Sequence, residues 1–242
     1  MVAAKICLLV CATGAQYYAI TPPTTRPSAK ERLNPTGLEV IIPWIHTLVK
    51  SIIGVCALSD IVLAYATSKE STAIPQSLAA LLVRSDLCSL SSSDHTIPST
   101  ALVAGCCLSV IGSAIRFQCY STLGKFFTFE LSIRQDHKLV TSGPYSIVRH
   151  PSYTGGLCVF LGVLLCHFHT LSWMVSCSGV FPSSDQGVRL TLGCMWTGLL
   201  GLLYSGLRGR IQKEEAMLQG KFGDQWKSYM NSVPYRLVPW LF

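Results

Sequence analysis

HKLVTSGPYSIVRHPSYTGG, residues 137–156, runs without a break into the apolar stretch 154–174, and its reading decides the fold. Gly143-Pro144 makes a turn. His150 precedes Pro151, which biases its backbone toward an extended conformation. Pro151 then suits the first turn of a helix, where its missing N–H costs little. The sequence therefore sets an irregular backbone, rich in donors and acceptors, at the mouth of an apolar helix. In a bilayer such backbone is tolerated only where protein or a polar ligand satisfies it. Taken one at a time, these residues also have a plainer reading. Tyr145 and Tyr153 would be interfacial anchors, Arg149 would bind lipid phosphate, and His150 would be a structural hydrogen-bonder.

The chain around this block is of membrane type. Of its 242 residues 50% are hydrophobic and 13% charged, and the mean hydropathy is +0.43. A soluble domain carries about 25% charged residues. That excludes a soluble globular enzyme, a disordered chain and a secreted disulfide scaffold. The expected fold is an all-α integral membrane protein with about five transmembrane helices, at 2–20, 40–66, 100–120, 154–174 and 188–206, each near the ~20 apolar residues a span needs. The first stretch also admits reading as a signal peptide. The second carries Lys50 and Asp60 and is expected to tilt or break near Pro43. Residues 1–99 are N-terminal spans and linkers, and 100–242 form the core.

Charge orients the spans. With five crossings, segments 21–39, 121–153 and 207–242 share one side and hold 13 of the 19 Lys and Arg, which places them and the C-terminus in the cytosol. The net charge of +7 comes without an arginine-rich stripe interleaved with aromatics, so no nucleic acid is expected as a partner. The 11 cysteines include no CxxC pair, and Cys7, Cys11, Cys56, Cys106, Cys107, Cys158, Cys166 and Cys194 lie in apolar runs. They read as small hydrophobes, with neither a disulfide framework nor a metal site expected. Residues 21–37 read as an exposed connector. In the Ser-rich loop 67–99, the piece LAALLVRSDL is expected to pack on the lumenal side rather than to lie as an interfacial helix.

A second polar block follows the last span: LRGRIQKEEAMLQGKFGDQWKSYMNSVPYRLVP, 207–239. Arg210 and Glu214 are helical neighbours, in the bland case a surface salt bridge of under about 1 kcal/mol. Phe222, Trp226 and Tyr229 suit an amphipathic helix dipping into lipid headgroups. Arg116, in SVIGSAIRFQCY, either snorkels or binds an anionic group at the cytosolic end of its span.

HKLVTSGPY (137–145), RHPSYTG (149–155), Arg210 with Glu214 and Glu215, and FGDQWKSYMNSVP (222–234) together resemble the isoprenylcysteine carboxyl methyltransferase family of the endoplasmic reticulum membrane. The resemblance covers roughly 100–240 in order and spacing. It implies that 100–242 is a methyltransferase core, with S-adenosylmethionine in a cytosolic pocket formed by the 121–153 loop and the C-terminal helix. The absence of any G-x-G turn fits this better than a soluble Rossmann-type methyltransferase. By motif, the cofactor contacts would be His137, Lys138, Leu139, Val140, Tyr145, His150, Pro151, Ser152, Tyr153 and Glu214. Glu130 stands at the offset of a further polar contact. Arg210 would hold the substrate, and Arg116 matches a family arginine near the substrate carboxylate.

The resemblance also implies a reaction: methylation of the C-terminal carboxylate of a farnesylated or geranylgeranylated cysteine, on proteins presented from the bilayer among membrane lipids. A carboxylate of pKa about 3.5 is already ionised, so no base is required. The site must supply alignment and dryness, and arginines hold a carboxylate by forked donors. A phosphatidylethanolamine N-methyltransferase would have to deprotonate its amine, with His150 the base to nominate. A sterol reductase would need NADPH, which nothing in these residues favours. A non-catalytic scaffold of the same fold need not bind S-adenosylmethionine.

Overall fold

The computed structural model describes residues 1–25, 42–68, 80–86, 88, 95–132 and 136–240, with the side chains of the second helix from His46 onward. Most of the 21–37 connector and of the Ser-rich loop lies outside the described residues. All regular elements among those described are helical, and the longer ones are α1 Val2–Ile20, α2 Ile42–Ala66, α3 Thr100–Leu123, α4 Pro151–His167, α5 Asp185–Phe222 and α6 Asp224–Ser232. Four of them, α1, α2, α3 and α5, are long and apolar enough to cross a membrane. Large apolar side chains such as Leu58, Ile111, Phe117 and Leu202 are exposed on their outer faces, as lipid contact requires. The chain is a multi-pass membrane protein.

The tightest packing is between α3 and α4, and glycine permits it. A Cβ on Gly112 would lie 2.5 Å from the Gly155 carbonyl oxygen, and one on Gly155 would lie 2.7 Å from that of Gly112. Gly105 and Gly162 repeat the arrangement, at 2.9 and 2.8 Å. Such backbone approach between small residues is how membrane helices gain dispersion contacts in the absence of a hydrophobic drive. On the other flank of α3, α1 is joined by polar rungs. Gln16 Nε2 donates to Ser109 Oγ at 3.0 Å, Ser113 Oγ to the Ala15 carbonyl, and Arg116 Nε to the Ala19 carbonyl at 2.8 Å. At the opposite end of α1, the buried Lys5 ammonium lies 3.5 Å from Asp60 of α2 and donates to the His95 carbonyl at 3.1 Å. Thus α1 is a fully engaged bundle helix.

Several expectations change. The 154–174 span is a helix of 17 residues ending at His167, about 26 Å long and short of the ~30 Å hydrocarbon core. The Ser172 hydroxyl captures the carbonyls of His167 and His169, at 2.7 and 2.8 Å, and turns the chain. Helix α2 is unbroken, because Pro43 falls in its first turn, where no N–H is needed. Trp226 and Tyr229 of the C-terminal amphipathic segment fall on the separate α6, while the last span runs on past Arg210 and Glu214 to Phe222 as one 38-residue helix, about 57 Å long. Good helix formers without proline carry it past the membrane until Gly223, at φ 51°, ends it. Residues 80–86 pack on the bundle as expected, with Trp173 Nε1 donating to the Leu82 carbonyl at 2.9 Å. Cysteine chemistry needs one correction: Cys88 and Cys177, both outside the apolar runs, form a disulfide. Cys56, Cys106 and Cys166 are buried free thiols, as their apolar settings imply.

Candidate active site

The 137–156 block folds back on the chain's last residues. The backbone N–H groups of Arg149 and His150 donate to the carbonyls of Tyr235 and Arg236, both at 2.9 Å, and Thr154 Oγ1 donates to that of Leu237 at 2.7 Å. His150 sits at φ −126°, outside the helical region as the following proline requires, and Pro151 opens α4. At the turn into α4 the backbone donors of Arg149 and His150 are thus satisfied by protein.

Arg149 is buried, which overturns its reading as a lipid-phosphate ligand. Its Nη1 donates to the carbonyls of Val233 and Pro234, at 2.8 and 2.7 Å, and its Nε to Glu215 at 3.0 Å. Glu215 also takes His150 Nε2 at 3.3 Å and two bonds from Arg236, at 3.2 and 2.8 Å. One carboxylate therefore binds the RHP turn, the end of α5 and the C-terminal segment together. A buried charge left unpaired would cost several kcal/mol, and here each partner offsets that cost. Sequence reasoning named Glu215 only as part of a motif and assigned it no role.

Tyr153, half-buried rather than an interfacial anchor, stands between Arg210 and Glu214. Arg210 Nε donates to its hydroxyl at 2.8 Å, and the hydroxyl donates to Glu214 Oε2 at 2.5 Å. Arg210 Nη2 also donates to the Phe129 carbonyl. Arg116 is braced by the Ala19 and Ser152 carbonyls and the Tyr120 hydroxyl, at 2.8, 3.0 and 2.8 Å. Its guanidinium lies 5.0 Å from the centre of the Phe129 ring.

Three cavities adjoin around these residues. A polar one of about 110 Å³ is lined by every residue proposed for the cofactor except Pro151, whose ring is buried at the start of α4. Glu130, His137, Lys138, Leu139, Val140, Tyr145, His150, Ser152, Tyr153 and Glu214 all face it, and so does Arg210. A chamber of about 220 Å³ is lined by Arg116, Arg210, Phe129, Tyr153 and His46 among others. An almost wholly apolar cavity of about 510 Å³ runs between α2, α4 and α5, past Ile53, Phe160 and Leu203. Tyr153 lines all three.

Phe126, Thr128, Met217, Trp226 and Tyr229 also line the polar cavity. Trp226 and Tyr229 do not dip into lipid: they are 2% and 5% exposed and pack with Val233 against Leu139 and Phe222. An amphipathic period identifies an apolar face without saying whether lipid or protein covers it. The Tyr229 hydroxyl donates to the Tyr145 carbonyl at 2.7 Å, and burial pushes its pKa up to about 12, so it remains a donor. Burial, with Lys221 adding to it and Glu214 opposing, holds the His137 imidazole below its usual value. The ring packs between Phe126 and Phe222, at 4.9 and 5.9 Å, and its buried Nδ1 has no hydrogen-bond partner among the described residues.

Residues 103–181 match the isoprenylcysteine carboxyl methyltransferase (ICMT) family. The chain is 42% identical over 134 residues to protein-S-isoprenylcysteine O-methyltransferase B of Arabidopsis thaliana, covering 54% of this chain and 55% of that protein. It is 30% identical over 128 residues to protein-S-isoprenylcysteine O-methyltransferase of Schizosaccharomyces pombe, covering 51% and 44%. With the enzyme of that name from Dictyostelium discoideum it shares 30% over 131 residues, covering 53% and 46%. The chain spans about half the length of the curated relatives it matches. No solved structure matches it.

Proposed function

We propose that this chain, a member of the isoprenylcysteine carboxyl methyltransferase family, transfers a methyl group from S-adenosylmethionine to the C-terminal carboxylate of a prenylated cysteine. The observation that carries the reading is the meeting of a polar cavity, an arginine-lined chamber and an apolar cavity at Tyr153. A methyl donor, a carboxylate and a prenyl chain would occupy them in that order.

The polar cavity fits a nucleoside-bearing donor chemically. It offers the irregular Lys138–Val140 backbone, the aromatic side chains of Tyr145 and Trp226, the orphaned Nδ1 of His137, and Glu214 to balance positive charge. Its enclosed volume of about 110 Å³ is below the roughly 300–1,000 Å³ of small-molecule sites, so the donor would also fill its open mouth. When bound, S-adenosylmethionine would supply a sulfonium methyl: the carboxylate oxygen forms the new O–CH₃ bond as S–CH₃ breaks, the electron pair stays on sulfur, and no proton is released. The protein's task is positioning. Arg210 and Arg116 hold the carboxylate through the forked donors of their guanidinium groups. Tyr153 fixes Arg210 and Glu214 relative to each other, aligning substrate and donor sites for in-line attack. The apolar cavity takes the prenyl chain, whose burial contributes about 0.8 kcal/mol per CH₂.

The same reading places the site in the cytosol and the chain in the endoplasmic reticulum membrane, serving prenylated protein C-termini. The basic segments 121–153 and 207–242 support a cytosolic site, and the disulfide joins loops on the opposite side. The test uses purified protein in liposomes with radiolabelled S-adenosylmethionine and either N-acetyl-S-farnesylcysteine or phosphatidylethanolamine. Base-labile label on the farnesylcysteine is expected. Label on the lipid alone would move the assignment to amine methylation, and no label with no donor binding would make the chain a scaffold.

A further inference from the structure

We infer that His46 is a further substrate-binding residue of this site, its imidazole N–H holding the carboxylate oxygen turned away from the methyl donor; the inference rests on the methyl-ester reading above. His46 lies on α2, on a helical turn otherwise carrying apolar and hydroxyl side chains, far in sequence from both polar blocks. It is half-buried, and it makes no hydrogen bond to any described residue. Of the eight described residues lining the arginine chamber, only His46 and Tyr153 also line the apolar cavity. His46 therefore marks the threshold between the carboxylate end of a substrate and its hydrocarbon.

Phe129 organises this threshold. Its ring meets the His46 imidazole edge-on at 5.0 Å and lies 5.0 Å from the Arg116 guanidinium, while its carbonyl accepts Arg210 Nη2. One residue thus places an imidazole and two guanidinium groups around about 220 Å³ of space. Lys50, one helical turn along, brings a third cation into the field at His46. Packing against Phe129 alone would be met as well by phenylalanine. What the imidazole adds is an N–H on the apolar side of the arginines. A carboxylate gripped there from both sides presents one oxygen to His46 and leaves the other for the methyl.

The experiment is steady-state kinetics on the full chain in liposomes, with N-acetyl-S-farnesylcysteine and S-adenosylmethionine. His46→Phe keeps the aromatic contact and removes the donor; His46→Gln keeps a donor. Loss of a hydrogen bond to a charged group predicts at least about a tenfold rise in KM for the farnesylcysteine in H46F, with S-adenosylmethionine affinity unchanged and H46Q within about threefold of wild type. A wild-type KM in H46F would overturn the inference. So would parallel loss of donor affinity, which would mark a merely structural role. If the wild-type chain esterifies no farnesylcysteine, the methyl-ester reading itself has failed and the inference falls with it.

Discussion

The Tyr153 hydroxyl receives a hydrogen bond from Arg210 and gives one to Glu214, so one phenol sets the distance between Glu214 of the polar cavity and Arg210, which lines both that cavity and the chamber. Tyr153→Phe removes both bonds and, at about 1.5–3 kcal/mol per charged hydrogen bond, is expected to lower kcat by at least about a hundredfold, with smaller effects on either binding constant. Arg210→Ala is expected to abolish transfer while sparing donor binding, and Glu214→Ala to weaken donor binding. Equal effects of the two changes on donor affinity, read by equilibrium binding, would refute this division. His137 supplies a pH signature. Its imidazole is held below the ordinary 6.5 by burial and by Lys221, against the pull of Glu214, so it is neutral above that pH. Acidification protonates the unfolded chain's histidine first, so the stability tied to this group is lost as pH falls below 6.5. Donor affinity follows, flat above neutrality and falling once the imidazole in the folded protein takes its proton. His137→Gln should flatten that acid limb in a binding titration.

At the scale of helices, the α3–α4 crossing is the joint that holds Arg116 against the RHP turn. Gly112→Ala places a methyl 2.5 Å from the Gly155 carbonyl, and overpacking of this kind costs about 1–3 kcal/mol. Gly198→Ala, on a part of α5 where a new Cβ meets nothing within 4 Å, is the control. It should hold or gain stability, since alanine exceeds glycine in helix propensity by about 1 kcal/mol. Thermal unfolding in detergent separates the two. The same joint shows what the sequence makes legible. Hydropathy finds the spans, and the turn chemistry of Gly143-Pro144 and His150-Pro151 finds the site block, because both signals are local. His46 was not legible: a lone histidine on an apolar helix has no local signal, and its importance arises only where Phe129 brings it beside Arg116 and Arg210. Glu215 was visible as a charge, but its partners Arg149 and Arg236 come from different segments. The single bridge Cys88–Cys177 spans 89 residues with no spacing motif to announce it.

Taken whole, the molecule has opposite chemistry at its two ends. One end gathers the arginines, glutamates and cavities of the site. The other holds the buried Lys5–Asp60 pair and the Cys88–Cys177 bridge, beyond the far end of α4. That helix is about 26 Å long, so the bridge and the site lie at opposite ends of the bundle, which the proposed orientation sets at opposite membrane faces. A disulfide persists in an oxidising compartment, whereas in the proposed orientation the basic segments face the reducing cytosol. The expectation is therefore a bridge shielded from the side on which the site is open. In sealed vesicles whose site faces outward, shown by labelling of added farnesylcysteine, a membrane-impermeant reductant should leave Cys88 and Cys177 linked in peptide mass spectrometry. Permeabilisation should expose them. Reduction in intact vesicles would put bridge and site on one face and overturn this topology. Cys88→Ser should cost about 2–4 kcal/mol of stability, since the bridge restricts a long loop in the unfolded chain. Donor affinity should not change, because nothing lining the polar cavity touches that end.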